Sequence, residues 1–268
     1  KEIKKILLKK GYIFNTKNSD TEVLLLSYIE WGLKCEDKFR GMFAFAIWDN
    51  IKKKVFLVRD RVGIKPLYYK LDSEKLIFSS EIKAILIDSD YIPEIDEESM
   101  YHYLTFLCTP APKTMFKNIN KLEAGTWLSF DEKGNSETKR YWDPLQEKEL
   151  TDKKNINKVL AKTLEESIKY RGISDVDVGV FLSGGIDSST NAYFFSKNSK
   201  KKIKTFSIGY DQEYKSYKSE LNYARIVAEH IKSSHFEKKL RKDDIKNFIF
   251  DMVYFQDEPI SDPVCVPI

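Results

Sequence analysis

The heptapeptide Ser183-Gly184-Gly185-Ile186-Asp187-Ser188-Ser189 follows directly on the apolar run VGVFL, residues 178 to 182. Two adjacent glycines allow a backbone to approach an anion closely, and the free N–H groups at the start of a following helix point at it. The serine hydroxyls add further donors, so these residue types at this spacing suit a phosphate-binding turn. The turn lacks the G-x-x-x-x-G-K-[ST] pattern, and no lysine stands where it would reach a β- or γ-phosphate. An acid stands nearby instead. A carboxylate beside a polyphosphate is repulsive unless a divalent cation bridges the two, which makes Asp187 the candidate ligand of a phosphate-borne Mg²⁺. The structural alternative is a plain strand-to-helix turn with Asp187 or Ser188 as its N-cap. The full string behind an apolar strand favours the phosphate turn.

Other reactive side chains offer less. Cys35, Cys108 and Cys265 are too far apart for a zinc or redox motif, and their isolation favours a reducing, cytoplasmic setting. His102, His230 and His235 show no i, i+4 pairing for a metal. The 268 residues carry 45 Lys plus Arg against 41 Asp plus Glu, a net charge of +4 with the lysines dispersed, so the pattern is a solvated surface first and a nucleic-acid footprint only weakly. No apolar run approaches the ~20 residues that span a bilayer. The basic start KEIKKILLKK lacks a signal-type apolar core and cleavage site.

Two kinds of scaffold must position these residues. Residues 41 to 80 read as short strands, GMFAFAIWD, KVFLVRD, PLYYKLD and KLIFSS, in a largely antiparallel meander flanked by helices near 19–31, 81–88 and 96–106. The segment INKLEAGTWLSFDEKGNSETKRYW reads as a hairpin turning at Lys133-Gly134-Asn135. After Trp142 the polar stretch DPLQEKELTDKKN has no apolar periodicity, which places a domain boundary between 1–145 and 146–268. Beyond it helix (152–171), strand (176–182), helix (188–198), strand (203–209), helix (219–232), strand (235–240) and helix (242–254) alternate, the order of a parallel, helix-covered sheet. The expected class is α+β followed by α/β.

The string SGGIDSS resembles the SGGxDS motif of the PP-loop ATP pyrophosphatases, which bind Mg-ATP, transfer AMP to an oxygen and release pyrophosphate. KTFSIG resembles that family's second strand, implying an adenine contact near Ile208, and SELNYARIVAEHIKSSHFE resembles its next helix and strand. Leu221, Ala224, Ile226, Val227, Ala228 and Ile231 also make the core face of an ordinary amphipathic helix. The strings FRGMFAFAIWDN, VRDRVGIKPLYY and FSSEIKAIL are similar to the glutaminase domain of glutamine-hydrolysing asparagine synthetase. With the PP-loop half, the resemblance covers nearly the whole chain.

The resemblance implies an α-β-β-α N-terminal-nucleophile glutaminase domain followed by a PP-loop domain, both partial. The activity implied is adenylation of aspartate or a related carboxylate, then amidation by glutamine-derived ammonia, with AMP and pyrophosphate as products. ATP and Mg²⁺ are the implied cofactors, and glutamine, the acceptor carboxylate and ATP the partners, with no nucleic acid or membrane. A homodimer is left open. Leu182, Ser183, Gly184, Gly185, Asp187, Ser188, Ser189 and Ile208 match the ATP site, with Asp187 on the metal.

Asp20 matches the aspartate that holds the α-amino group of glutamine. Ser19 and Glu22 also spell a capping box, in which Asp20 would only complement the helix dipole. Arg59, Asp60, Gly63, Lys65 and Pro66 match a signature read as a structural turn, with Gly63 at positive φ.

Departures bound the expectation. The family's N-terminal cysteine nucleophile has no counterpart and Cys35 is no substitute, so no catalytic residue is assigned and the chain is expected to be a fragment without glutaminase activity. In FQDEPISDPVCVPI, Asp257, Glu258 and Asp262 suit either an acceptor or ATP site, or capping and turn roles beside Pro259 and Pro263. That segment offers no clear cation for an aspartate α-carboxylate, which leaves another carboxylate acceptor open. Two further classes stay open: an adenylating cyclase of the β-lactam synthetase type, and a non-catalytic remnant.

Overall fold

The computed structural model describes residues 1–88, 90–146, 155–211 and 220–260. They group into two compact units. The first holds the chain up to residue 146 together with 256–260, and the second holds 155–255.

In the first unit, α1 (Glu2–Lys9) and α2 (Asp20–Trp31) precede β1 (Ala44–Asp49), β2 (Lys54–Arg59), β3 (Tyr68–Leu71) and β4 (Leu76–Ser79). Then come α3 (Ile82–Ile85), α4 (Glu97–Phe106), β5 (Ile119–Lys121), β6 (Thr126–Asp131) and β7 (Ser136–Arg140). The strands form two sheets, ordered β1-β2-β6-β7 and β4-β3-β5, antiparallel throughout. The hairpin turns where expected, with Gly134 at φ +81° and Phe130 opposite Ser136.

The single meander expected over residues 41–80 is not what forms, because β2 pairs with β6 and β3 pairs with β5. The reason lies in the turn between them. The Asp60 carboxylate, fully buried, accepts from the N–H groups of Phe43 (3.2 Å), Ile64 (3.0 Å) and Lys65 (2.9 Å). The Arg59 guanidinium donates to the carbonyls of Lys65, Leu122 and Gly63 at 2.8, 2.6 and 2.8 Å. Gly63 sits at φ +67°, as its place in the sequence signature requires. This knot lifts the chain out of one sheet into the next.

Alternation along β2 then sorts the layers. Phe56 faces Tyr28, Cys35 and Ile47 under α2, while Leu57 faces Leu67, Leu122 and Leu128 between the sheets. On the far side Ile82 and Ile85 of α3 pack with Ile119, Tyr68 and Ile77. Helix, sheet, sheet and helix are therefore stacked on three apolar seams. Helix α1 was not anticipated from the sequence; it buries Leu7, and Lys4 Nζ ties it to the carbonyls of Thr16 and Lys17.

The second unit runs α5 (Ile156–Arg171), β8 (Gly179–Phe181), α6 (Ile186–Asn198), β9 (Lys204–Tyr210), α7 (Leu221–His230), β10 (Ser234–Leu240) and α8 (Lys242–Gln256), the last residue falling to the first unit. The strands form a parallel sheet ordered β10-β9-β8. Val180 and Leu182 pack with Ala192 of α6 and Ala224 and Ala228 of α7, small residues that let helices lie close to the sheet. The mixed α/β character read from the sequence holds in both units. The polar stretch 147–154, Ser219, Asp262 and Cys265 lie outside the described residues. Among the described residues no helix is long and apolar enough to cross a membrane.

Candidate functional site

Strand β8 ends in the core and releases the chain into the candidate turn. Leu182 is 1% exposed; its N–H donates to Phe206 O at 2.8 Å, and its carbonyl accepts from the Ser207 hydroxyl. Both backbone groups of Leu182 are thus engaged by β9, and its side chain lies in the core. Ile208, the next residue after Ser207 on β9, is half-buried and pairs with Lys238.

Gly184 then reverses the chain at φ +87°. A Cβ built there would lie 2.6 Å from Ala224 N and 2.6 Å from Tyr223 Cβ, so the start of α7 presses on this residue. Both its dihedral and its surroundings require glycine. Gly185 is the N-cap of α6, with no side-chain cap bond. Neither Asp187 nor Ser188 therefore caps the helix, and the plain-turn alternative loses its main prop.

The hydroxyls close the turn on itself. Ser183 Oγ and Ser188 Oγ lie 2.8 Å apart, and Ser188 Oγ also accepts from Ser183 N at 3.2 Å and donates to Gly185 O at 3.2 Å. Gly185 N donates to Ser183 Oγ at 3.3 Å. Ser189 Oγ is buried and has no hydrogen-bond partner among the described residues. Asp187, in the first turn of α6, is exposed and makes no side-chain hydrogen bond or ion pair with a described residue. It lines a groove of ≈ 660 Å³ between α5 and α6 with Arg171, Ser167, Asn157 and Asn191. Arg171 is held there by the Ser167 carbonyl and hydroxyl.

The structure thus gathers Leu182, Ser183–Ser189 and Ile208 at one end of the parallel sheet. Ser207, Tyr223 and Arg171 were not singled out from the sequence, and Ala224 was read there only as a core position of its helix. The double glycine was the only local sign that something presses on the turn, and it does not say what.

Asp20, in the first unit, is the first residue of α2 and exposed. The Ser19 hydroxyl caps the helix by accepting from Glu22 N at 3.2 Å. The returning half of the capping box does not form. The Glu22 carboxylate instead accepts from Asn15 N (2.6 Å), Thr16 N (2.8 Å) and the Thr16 hydroxyl, which hold it below the usual carboxylate range. Asp20 makes no side-chain hydrogen bond within the described residues and so remains available to a cation.

Cys35 is 1% exposed in the seam under α2, and burial pushes its thiol up to about 12, an inert core position. Beside it Glu36 is buried, and desolvation pushes its carboxyl up to about 7. Glu36 Oε2 and the Nε of Arg61 are both buried without a partner among the described residues. No group of three or more His, Cys, Asp or Glu side chains that could hold a metal occurs among the described residues.

Residues 1–142 match the family model for the glutamine amidotransferase domain, and the chain belongs to that family. Residues 159–268 match the model for asparagine synthase, so the chain carries, in order, the domain pair of the glutamine-hydrolysing asparagine synthetases.

It is 34% identical over 267 residues to asparagine synthetase [glutamine-hydrolyzing] 1 of Bacillus subtilis, covering 100% of this chain and 41% of that protein. It is 36% identical over 260 residues to the putative asparagine synthetase [glutamine-hydrolyzing] 2 of Methanocaldococcus jannaschii, covering 95% of this chain and 50% of that one. Amidase chry2 of Gibberella zeae is 32% identical over 183 residues, 65% of this chain and 26% of that protein. The chain spans half or less of the length of these relatives.

Proposed function

We propose that residues 1–145 form a type 2 glutaminase domain of the N-terminal-nucleophile class and residues 146–268, apart from the 256–260 stretch that groups with the first unit, a PP-loop ATP-binding domain. Together they would serve glutamine-dependent asparagine synthesis, in which ATP activates aspartate, or a related carboxylate, as its adenylate and ammonia from glutamine displaces AMP. The family match of both segments, in this order, supports the reading. The chain spans 41% of the Bacillus subtilis relative and 50% of the Methanocaldococcus jannaschii one.

Ammonia at neutral pH is mostly protonated and not nucleophilic, so its release beside the activated ester, away from water, is the chemical reason to join two such domains. In the first, Asp20 would accept the α-ammonium of glutamine. Its availability, with helix capping left to Ser19, favours this over a structural role.

In the second, the turn Ser183–Ser189 would hold the phosphates with the N–H groups at the start of α6 and the hydroxyls of Ser183 and Ser188, Leu182 fixing the strand end and Ile208 approaching the adenine. One exposed carboxylate is too little to hold a free divalent ion. It would suit Mg²⁺ that arrives already bound to ATP, and Asp187 would hold it there. The ion would neutralise phosphate charge.

The observation that carries this reading is Asp187, free of any side-chain partner among the described residues and set inside the turn that the Ser183 and Ser188 hydroxyls close at a parallel-strand end. Calorimetric titration of the chain with Mg-ATP tests it. Binding should weaken on Asp187→Ala, and the weakening should vanish when Mg²⁺ is omitted. Unchanged Mg-ATP affinity in the variant would remove Asp187 from the site.

A further inference from the structure

Helix α3 begins at Ile82, which is fully buried, and its N-cap residue Glu81 offers no side-chain cap bond. The first N–H groups of a helix need partners, and a buried helix start cannot take them from water. Asp257, 175 positions further along the chain, supplies them. Its Oδ2 accepts from Ile82 N at 2.8 Å and from Lys83 N at 3.4 Å, while its Oδ1 lies 3.0 Å from Lys83 Nζ. Glu258 does the same one step on: Oε1 accepts from Met115 N at 2.8 Å and Oε2 lies 2.8 Å from Lys121 Nζ.

The two carboxylate side chains are 9% and 8% exposed, and all their partners belong to the first unit. Lys121 Nζ is held from its other side by the Thr109 carbonyl at 2.7 Å. Asp257 adopts φ +62°, a conformation that Asp tolerates better than most residues. Its backbone is thus set to turn the carboxylate onto the helix start.

We infer that Asp257 and Glu258 form a strap that completes the first unit, making it a discontinuous domain whose α3 and 113–121 segment are held in place by residues 256–260. The first unit buries both ends of this strap as structural ion pairs and caps, so neither carboxylate is a ligand for acceptor or ATP. The capping role weighed for the DEP segment is the one the geometry supports. Breaking one partner of a buried, hydrogen-bonded charge pair leaves the other charge unpaired, so the strap should govern local opening of the elements it holds.

Amide hydrogen exchange on the whole chain tests this site by site. Asp257→Ala should speed exchange at Ile82 about tenfold or more, the equivalent of one net hydrogen bond, and leave Met115 nearly unchanged; Glu258→Gln should do the reverse. Should Glu258→Gln unfold the unit outright, the Glu258→Leu/Lys121→Met pair, which removes both charges together, should restore a folded unit. Unchanged exchange at Ile82 and Met115 in both single variants overturns the strap. So does a Lys121→Met effect on unfolding midpoint that simply adds to that of Glu258→Gln. None of these readouts involves glutamine or ATP, so the strap stands or falls apart from the proposed activity.

Discussion

The hydroxyls of Ser183 and Ser188 lie 2.8 Å apart across the turn after β8, and Ser188 also bonds the Ser183 amide. On the proposed reading, a phosphate entering this turn would meet donors already oriented by one another. Replacing Ser188 by Ala removes one donor and loosens the other, so Mg-ATP affinity should fall about tenfold, corresponding to the ~1–1.5 kcal/mol of a typical net hydrogen bond. Titration calorimetry reads this directly, and an affinity within twofold of the parent would argue against phosphate contact by these serines.

The two glycines of the turn should separate on substitution. Gly184→Ala places a Cβ at φ +87° and within 2.6 Å of the α7 backbone, so it should cost at least about 2 kcal/mol of stability in the second unit. Gly185 has φ −69°, and its nearest neighbour, Ser183 Oγ, would be at an ordinary 3.4 Å. Gly185→Ala should therefore fold nearly as the parent does while losing nucleotide affinity through the obstructed approach. Chemical denaturation of both variants beside ATP titration distinguishes them; equal loss of stability in the two would sink the explanation.

At the start of α2 the cap and the proposed ligand are neighbours with different tasks. Ser19→Ala should destabilise by about 1 kcal/mol, the usual worth of an N-cap. Asp20→Asn, which breaks no observed side-chain bond, should leave the unfolding midpoint within about a degree. In a form of the enzyme competent to hydrolyse glutamine it should raise KM for glutamine. A destabilised Asp20→Asn variant would return Asp20 to a purely structural role.

Burial raises the Glu36 carboxyl from its ordinary 4.5 to about 7 in the folded chain. A carboxyl raised on folding favours the folded state at low pH. That advantage is full below about pH 4.5 and is lost as pH rises through 7, where ionisation must occur without water. The groups acting on it are Asp37 and Cys35 beside it in sequence, Lys139 of β7, and Tyr141. Glu36→Gln should match the parent's stability near pH 4 and exceed it near pH 8, by a difference on the order of 3 kcal/mol. Denaturant midpoints measured across that range check the slope, and parallel pH profiles for the two proteins would refute it.

The sequence by itself determined β1 to β4 and the β6-β7 hairpin to within a few residues, because period-two alternation and turn residues are local signals, whereas β5, read as the start of that hairpin, pairs with β3 in the other sheet. The turn after β8 is likewise local: two glycines, serines and an acid at fixed spacing mark where the chain leaves the strand and which groups it offers there. Tertiary structure decided what local pattern does not encode. The strands of residues 41–80 divide between two sheets because Arg59 and Asp60 spend their hydrogen bonds on a turn whose partners include Leu122, 63 positions away. Gly184 is required by α7, which approaches it from 40 residues further on.

Ser19, Asp20 and Glu22 spell a capping box, yet Glu22 bonds Asn15 and Thr16 instead of returning to Ser19, which only the path of the preceding loop fixes. The acids of the DEP segment illustrate the same division. Their charge is local, but whether they meet a ligand or a buried helix start depends on which surface the chain reaches 175 residues later, and that is a property of packing.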